Sequence, residues 1–482
     1  MRWINAVASP NITGDGGQVS ANHALADMGC SRGASLPPTS APELSERPEE
    51  GKRLQREQKA QRAVTVNTAS RLLAHAVRLV AVPMSLRILG TERYGIWLAA
   101  SSLTSWLALA DTGMSSGLLT LISRAYARND HSEVRRFIST GFAAFGLITL
   151  LAVAAVISLT SWSGVSELLG VARSDTFAAD ARALVGICCG LFSLSFLYQG
   201  TASTCSGLQE SHLNGYAWMG ANLLQIAGLA FLWSRGASLV EFALVVSAPP
   251  LVANGFLTAY IFGVRHRPLR PTLAAWNSGI LRSIMTYGGW LFIMQIGTVG
   301  IFFSNNLMIA NRLGPRHVPE YAVPWSAFYV FHGFASLLVA PYLAAYSEAA
   351  TRRDWHWIHQ TYIKRLRIVM VLTGVGGLLL VAFGQIAIRA WAGLVPGHKL
   401  LMGLAAQFVL MAVAEANGVL LIALGRVKLK GLLQASVAII YVVLAWQLFP
   451  SQGLLALPIA GIAAHAIEVA VSLRVVRQAL SI

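Results

Sequence analysis

The sequence predicts an all-α polytopic membrane protein of about 12 transmembrane helices, arranged in two six-helix lobes around a central cavity. Composition, the spacing of apolar segments and an internal repeat lead to this prediction. Of the 482 residues, 55% are hydrophobic and only 12% are charged, whereas a soluble domain contains roughly 25% charged residues. The composition therefore excludes an ordinary soluble protein.

The apolar segments are long enough to cross a bilayer. A spanning helix needs about 20 mostly apolar residues, and the longest loop between segments, roughly 162–182, is too short to fold as a domain. This loop argues against a membrane glycan polymerase or ligase, because such enzymes need an external loop to hold catalytic groups. The predicted spans are 64–88, 94–122, 137–161, 183–207, 214–234, 239–264, 283–311, 321–346, 366–389, 400–424, 429–449 and 454–474.

These spans define three parts of the chain. Residues 1–62 mix Gly, Ser, Pro and charged residues without an apolar core, which predicts a disordered cytoplasmic N-terminal arm. Residues 63–270 form the predicted N-lobe with spans one to six, and residues 271–482 form the predicted C-lobe with spans seven to twelve. The names N-lobe and C-lobe are kept below for these two ranges.

The basic residues indicate the orientation in the membrane. With the N-terminus inside, the inner loops hold 18 Lys and Arg residues against nine in the outer loops, where Lys430 is counted as an inner-loop residue. Because inner loops are enriched in Lys and Arg, both termini are predicted to be cytoplasmic. The net charge of +16 is then explained by the basic residues of the inner loops, and no nucleic-acid partner is expected.

The four cysteines suit neither a disulfide framework nor a metal site, and no cofactor is expected.

The two halves of the chain contain similar segments. "RILGTERYGIW" (87–97) matches "RLGPRHVPEYAVPW" (312–325), since each ends a span with Leu-Gly and restarts on a tyrosine with a tryptophan close behind. "AYARND" (125–130) matches "AATRRD" (349–354). Paired repeats with a cleft between them are how many transporters hold a substrate near the midplane. The repeat predicts two similar lobes.

"LGTERYGIWLAASSL", "LALADTGM" and "LISRAYARND" together resemble the flippases of lipid-linked oligosaccharides, the exporters of O-antigen, exopolysaccharide and capsule in the multidrug/oligosaccharidyl-lipid/polysaccharide (MOP) superfamily. The resemblance covers residues 64–475. It implies a V-shaped pair of lobes that alternates between inward-open and outward-open states in the bacterial inner membrane. The implied activity is not enzymatic: it moves an undecaprenyl-diphosphate-linked oligosaccharide from the cytoplasmic to the periplasmic leaflet. The alternatives are a cation or multidrug antiporter of the same superfamily and, less favoured, a membrane polymerase or ligase.

The first span carries a basic face. Arg71, His75 and Arg78 follow one another at spacings of four and three, with Asn67 four residues earlier, so all four are predicted on one helical face. Guanidinium groups bind phosphate through two parallel hydrogen bonds and stay protonated, which predicts a path for the diphosphate. In the alternative interpretation the arginines only extend to the membrane interface.

Asp111 lies in the second span, roughly 20 Å from its cytoplasmic end. Exposure to lipid at that depth would cost at least about 3 kcal/mol, so the side chain should face the interior. Three partners are open: an arginine of the first span, a substrate hydroxyl or coupling ion, or its own backbone at a helix break. Asp-Thr-Gly could cap a helix restart in the third case.

Four further residues complete the predicted site. Arg282 and Arg312 bracket the seventh span and could capture and release the diphosphate, or serve as ordinary interface anchors. Glu415 in the tenth span is a candidate either for coupling to H⁺ or Na⁺ or for contact with the sugar, because no basic residue lies within one turn. Asn305 is a further position considered for ion coupling, but here the sequence departs from the family pattern, because relatives often have an acidic residue at this position. Glu468 and His465, three residues apart, predict a local polar network.

The partners expected from these patterns are the lipid-linked oligosaccharide, H⁺ or Na⁺, the lipid bilayer and polysaccharide polymerase or assembly proteins. All but the bilayer follow from the family resemblance.

Overall fold

The computed structural model describes residues 43–111, 113–172, 174, 176–272 and 275–480, with side chains described from residue 61 onward apart from 286–291 and 303. The chain divides into two units between Leu54 and Gln55, and apart from the start of the first helix everything below concerns the second unit. Within the described ranges the protein is built from helices and contains no strand. The predicted all-α class is confirmed.

Fourteen α-helices are distinguished over the described ranges. Short 3-10 turns and one π turn join some of them. The helices are α1 (Glu43–Leu107), α2 (Met114–Ala127), α3 (His131–Ser161), α4 (Val165–Leu168), α5 (Ala178–Gly207), α6 (Ser211–Arg235), α7 (Leu239–Tyr260), α8 (Ser278–Leu313), α9 (Val318–Val339), α10 (Tyr342–Thr351), α11 (Trp355–Ala392), α12 (His398–Ala423), α13 (Val427–Gln452) and α14 (Ala456–Ala479).

Nine helical stretches of the described chain are long and apolar enough to cross a membrane. Two of them, Gln61–Asp111 and Val427–Ala479, contain 51 and 53 residues, far more than the roughly 20 of one crossing. Each is interrupted by a glycine with positive φ, 75° at Gly90 and 55° at Gly453, a conformation that glycine adopts without steric cost. The protein is thus a multi-pass membrane protein, and the number of twelve crossings stays a prediction.

Helix α1 begins at Glu43, inside the range 1–62 that was expected to be a disordered arm. The segment from Glu43 to Arg62 is rich in Glu, Lys, Arg and Gln, which favour helix over coil. The remainder of the predicted arm, residues 1–42, lies outside the described residues.

Because successive helices alternate in direction, the turns fall at two ends of the bundle. The terminal end is the end at which residues 61 and 479 lie, and it carries the turns at 128–130, 208–210, 352–354 and 424–426. The opposite end, called the far end, carries the turns at Gly90, 162–177, Gly236, Gly314, 393–397 and Gly453.

At the far end one hydrophobic core includes both lobes. Tyr94 and Ile96 belong to the same buried cluster as Tyr321 and Ile388. The backbones also approach closely, since a Cβ atom added at Gly95 would lie 1.8 Å from the carbonyl oxygen of Pro315. This shared core closes the far end.

At the terminal end the buried clusters are separate. One contains N-lobe residues such as Leu118, Ile138 and Leu257, together with Ile284 from the start of α8. The other contains only C-lobe residues, among them Tyr346 and Leu421. Apart from α8, which packs against α2, the lobes therefore do not share a core at this end among the described side chains.

Candidate functional site

A cavity of about 470 Å³ lies between α1 and the C-lobe helices α8, α9, α12, α13 and α14. Helix α1 contributes Arg71 and His75 to its wall. The C-lobe contributes a group of ionisable and hydroxyl side chains, which we call the C-lobe cluster: His332, Ser336, Glu415, Lys430, His465 and Glu468.

The most buried part of this cluster is an ion pair. Lys430 Nζ lies 2.6 Å from Glu468 Oε1 and donates a second hydrogen bond of 2.6 Å to Gln434. His465 Nδ1 lies 3.1 Å from the other carboxylate oxygen of Glu468. The side chains of Lys430 and Glu468 are only 10% and 2% exposed, so each charge depends on the other for compensation.

Glu415 joins the cluster from α12. Its Oε1 accepts a 2.6 Å hydrogen bond from Ser336, and its Oε2 lies 3.2 Å from His332 Nε2. The carboxylate is therefore held by two side chains of α9, one turn apart on the same face. It is half-buried and faces the cavity.

Only part of the predicted basic face of α1 lines the cavity. Arg71 and His75 line the cavity, whereas the exposed Arg78 places its guanidinium 5.9 Å from the centre of the Tyr329 ring. Asn67 instead donates a 3.3 Å hydrogen bond to Ser211 at the start of α6. The structure thus brings Arg71 and His75 to the cavity and places Asn67 against the N-lobe.

Asp111 lies at a break between α1 and α2. Its Oδ1 accepts hydrogen bonds from the backbone N–H and the hydroxyl of Ser115, at 3.0 and 3.1 Å. Gly113 follows with a φ of 78°. Of the three partners considered from the sequence, the structure shows the backbone at a helix break, and Asp111 is not part of the cavity wall.

The other predicted residues lie outside the cavity wall. Arg282 is exposed in the first turns of α8, at the terminal end, and Arg312 is exposed in its last turn, at the far end, 3.7 Å from the centre of the Trp446 ring. Asn305 is buried and accepts a 2.6 Å hydrogen bond from the hydroxyl of Tyr441.

Three members of the C-lobe cluster were not predicted from the sequence, namely His332, Ser336 and Lys430. Lys430 was assigned to a loop, although it lies inside α13. A signal for Lys430 exists, because Gln434 follows four residues later on the same helical face. The contact of Lys430 with Glu468, 38 residues away, leaves no such local pattern.

No protein-family model matches the chain. Three curated bacterial proteins are similar in sequence. A protein of Salmonella typhimurium (strain LT2) provisionally named O-antigen transporter is 20% identical over 59% of this chain and 65% of its own length. A namesake from Salmonella typhi is 19% identical over 66% and 70%, and a Yersinia pseudotuberculosis protein provisionally named O-antigen export protein is 21% identical over 63% and 69%. The chain thus spans about two thirds of the length of these relatives.

Solved transporter structures resemble the whole bundle. An inward-facing multidrug transporter of the MATE family superimposes with a TM-score of 0.71 at 14% identity, over 88% of this chain and 99% of the other. An outward-facing MATE structure gives 0.56 at 14% identity over 88% and 94%, and a Pyrococcus furiosus MOP transporter gives 0.54 at 14% identity over 89% and 96%. The chain has the fold of the MOP superfamily. The resemblance noted from the sequence is confirmed.

In this MOP-superfamily fold the repeated segments form similar local structures. Tyr94 stacks on Trp97, and Tyr321 stacks on Trp325, each pair with ring centroids 5.6 Å apart. The turns of the second repeated segment are also alike, because Asn129 and Arg353 have φ values of 58° and 60° and are each followed by an aspartate that caps the next helix.

The same equivalence relates the C-lobe cluster to the N-lobe. Gln209 and Gly425 form equivalent positive-φ turns after α5 and α12. Glu415 lies ten residues before Gly425, and Gln199 lies ten residues before Gln209. Lys430 and Asn214 likewise each lie five residues after their turn. The N-lobe therefore has neutral amides at the two positions where the C-lobe has charged side chains.

Proposed function

We propose that the protein translocates an undecaprenyl-diphosphate-linked oligosaccharide from the cytoplasmic to the periplasmic leaflet of the bacterial inner membrane, by alternating access, for the biosynthesis of O-antigen, exopolysaccharide or capsule. The proposal is supported by the MOP fold and by the likeness to proteins named for O-antigen transport. Because inner loops favour Lys and Arg, the terminal end is assigned to the cytoplasm and the structure to an inward-open state.

The single observation that carries the proposal is the position of Arg71 on the wall of the C-lobe cavity. A diphosphate cannot cross about 30 Å of hydrocarbon without compensation of its charge. Arg71 supplies a permanent cation with two parallel donors for phosphate oxygens. The cavity volume of about 470 Å³ suits a polar head group, while the polyprenyl chain would remain in the lipid.

Other predicted site residues keep secondary roles in this proposal. Arg78, beside Tyr329, would meet the substrate after Arg71. Arg282 and Arg312, near opposite ends of α8, would assist capture and release. Glu415, with His332 and Ser336, is the first candidate for coupling to H⁺ or Na⁺. Polysaccharide polymerase or assembly proteins would receive the product.

The second candidate function is a cation or multidrug antiporter. It is favoured by the two carboxylates of the C-lobe cavity, Glu415 and Glu468. Glu468 is compensated by Lys430 at 2.6 Å, however, so the cavity offers an organic cation one carboxylate at most, whereas Arg71 would repel it.

The test is a flipping assay with the purified protein in liposomes and a fluorescent undecaprenyl-diphosphate oligosaccharide. Arg71→Ala should reduce the rate of flipping about tenfold or more, since hydrogen bonds to charged groups contribute about 1.5–3 kcal/mol. Arg62→Ala is the matched control, because Arg62 lies on the same helix and contacts only Tyr216 among the described side chains.

Three results would overturn the proposal. The first is flipping that Arg71→Ala leaves unchanged. The second is export of an organic cation with no flipping of the lipid. The third is a product that carries a new glycosidic bond, which would show a polymerase or ligase.

A further inference from the structure

The N-lobe has a cavity of its own, of about 320 Å³, between α1, α5, α6 and α7. It shares no lining residue with the C-lobe cavity. Its volume falls within the range of about 300–1,000 Å³ in which small-molecule sites are usually found.

The wall of this N-lobe cavity includes polar side chains but no charged side chain. Trp97, Tyr198 and Trp218 supply aromatic faces, and Gln199 and Asn254 supply amides. A charged ligand would lose its hydration here without a counter-charge, which is far more costly than the transfer of a neutral polar molecule that finds hydrogen bonds. The wall therefore favours a neutral ligand with an apolar face and several hydroxyl groups.

Trp97, one of the residues lining this cavity, has a buried donor without a partner. Its indole N–H is buried and meets no acceptor among the described residues. The ring stacks on Tyr94 at 5.6 Å and makes an edge contact with Phe242 at 5.3 Å. An unsatisfied buried donor costs about 1–3 kcal/mol, and a ligand oxygen that displaced the side chains covering this N–H would relieve that cost.

Other groups at the wall complete a set of donors and acceptors. Gln199 makes no hydrogen bond with any described protein group, which leaves its whole amide for a ligand. The side-chain amide of Asn254 donates to the backbone carbonyl of Pro250 at 2.8 Å and keeps its oxygen, Oδ1, as an acceptor. The hydroxyls of Ser101 and Ser195 donate to backbone carbonyls of their own helices, so their oxygens also remain available as acceptors.

We infer that the N-lobe cavity binds an uncharged sugar residue of the transported glycan, with Trp97 and Gln199 as the residues that select it. A pyranose presents hydroxyls at its edge and C–H groups on its faces, which matches amides and hydroxyls set between aromatic rings. The inference rests on the proposed function, because it takes the sugar to be part of the lipid-linked substrate. The C-lobe cavity then holds the diphosphate while the N-lobe cavity selects the sugar.

The direct test uses the full chain in lipid nanodiscs and free oligosaccharides, without any lipid. Saturation-transfer NMR would screen neutral di- to tetrasaccharides of hexoses and 6-deoxyhexoses against uronic-acid oligomers of the same length. We expect binding of neutral members only. Trp97→Phe, which keeps the stack on Tyr94 but removes the N–H, should weaken that binding about fivefold, the value of one neutral hydrogen bond.

Two further variants separate selection from folding. Gln199→Leu should also weaken binding about fivefold or more, because it keeps the side-chain volume and removes the amide. Trp325→Phe is the matched control: Trp325 stacks on Tyr321 in the C-lobe as Trp97 stacks on Tyr94, but it does not line the N-lobe cavity. Binding by this variant should stay within about twofold of the wild type.

Two lipid-linked substrates, one with a neutral glycan and one with an acidic glycan, are then compared in the flipping assay. The comparison separates a failure of the sugar site from a failure of the proposed function. If neither substrate is flipped but neutral sugars bind in a Trp97-dependent way, the proposed function fails and the sugar site stands. If flipping occurs and Trp97→Phe does not change the preference for a neutral over an acidic glycan, the sugar site fails and the proposed function stands. Binding of no neutral sugar, or equal binding of uronic-acid oligomers, also overturns the inference.

Discussion

The two lobes have similar turns, but the side chains that line their cavities differ in charge. Equivalent turns place Gln199 where the C-lobe has Glu415, and Asn214 where it has Lys430. The C-lobe cavity contains an ion pair, a second carboxylate and histidines, whereas the residues lining the N-lobe cavity carry no charge. The difference shows that the repeat fixes the backbone, while side chains at a few equivalent positions decide which chemistry each lobe can perform.

The difference also has an energetic consequence. A buried charge is tolerated only while its partner is present, and removal of that partner is far more costly than loss of a neutral hydrogen bond. The C-lobe should therefore respond more strongly than the N-lobe to single substitutions at equivalent positions. The predictions that follow test this contrast and the contacts between the lobes.

The largest effect is expected at the C-lobe ion pair. Lys430→Met should lower the free energy of unfolding by about 3–5 kcal/mol, because it leaves the Glu468 carboxylate buried without a cation. The measurement is thermal and denaturant unfolding of the purified protein in detergent.

The equivalent N-lobe substitution is the control. Asn214→Ala should cost only about 0.5–1.5 kcal/mol, since Asn214 makes neutral hydrogen bonds to the Ala202 carbonyl and the Ser206 hydroxyl. Lys430→Met combined with Glu468→Gln should recover at least half of the loss. Equal costs in the two lobes would contradict the contrast.

The next effect concerns the far end, where the lobes meet. Gly95→Ala should destabilise the closed far end by about 1–3 kcal/mol, because its Cβ would lie 1.8 Å from the carbonyl oxygen of Pro315 and force the backbones apart. The measurement is an increase in solvent labelling of a cysteine introduced at Thr91.

Gly146→Ala serves as the control for this helix substitution, because no atom lies within 4 Å of the added Cβ. That variant should leave the labelling unchanged. If Gly95→Ala also leaves it unchanged, the close approach of Gly95 to Pro315 does not hold the far end closed.

A smaller effect is expected at the terminal end of the N-lobe. Glu210 accepts hydrogen bonds from Arg265 at 2.8 Å and lies 3.1 Å from His266. Burial raises the pKa of the Glu210 carboxyl, but the contacts with Arg265 and His266 outweigh burial and lower it below its ordinary value. Glu210→Gln should cost about 1 kcal/mol at neutral pH, because half-exposed Arg265 remains partly solvated.

The pH dependence of this cost has a definite sign. A carboxyl with a lowered pKa stabilises the folded state above its ordinary pKa, and this stabilisation is lost as pH falls through the lowered value. The difference in unfolding free energy between wild type and Glu210→Gln should therefore be full at pH 7 and shrink below about pH 4. A difference that grows with acidification would contradict the assignment.

The smallest effect is expected at Asp111. Both lobes break a helix after the repeated segment, the N-lobe at Asp111 and Gly113 and the C-lobe at Pro341, between α9 and α10. Because the C-lobe makes its break without a carboxylate, Asp111→Asn should change stability by less than about 0.5 kcal/mol, as asparagine caps helices as well as aspartate.

Transport by the Asp111→Asn variant is the more decisive measurement. We expect the variant to flip the substrate at the wild-type rate at each pH and sodium concentration tested. A loss of the pH or sodium dependence would instead assign ion coupling to the carboxylate and reverse the present account of Asp111.

Local patterns predicted much of this protein, and distant contacts account for the rest. The spacing of Arg71 and His75 predicted their common face, since helical period is a property of neighbouring residues. The same spacing also included Asn67, which the structure directs to Ser211, 144 residues away. Position on a helix follows from the sequence, but the neighbour that a face meets depends on how helices pack.

The sequence by itself determined the membrane class, the helical fold, the repeat and the basic face of α1. These features follow from the length of the apolar segments, the helical period and the turn residues, each of which can be read from neighbouring residues. Only the tertiary structure decided that Lys430 pairs with Glu468, that Glu415 meets His332, and that the buried indole N–H of Trp97 has no acceptor among the described residues. Those features depend on residues brought together across the bundle, where burial makes each charge and each hydrogen bond depend on its partner.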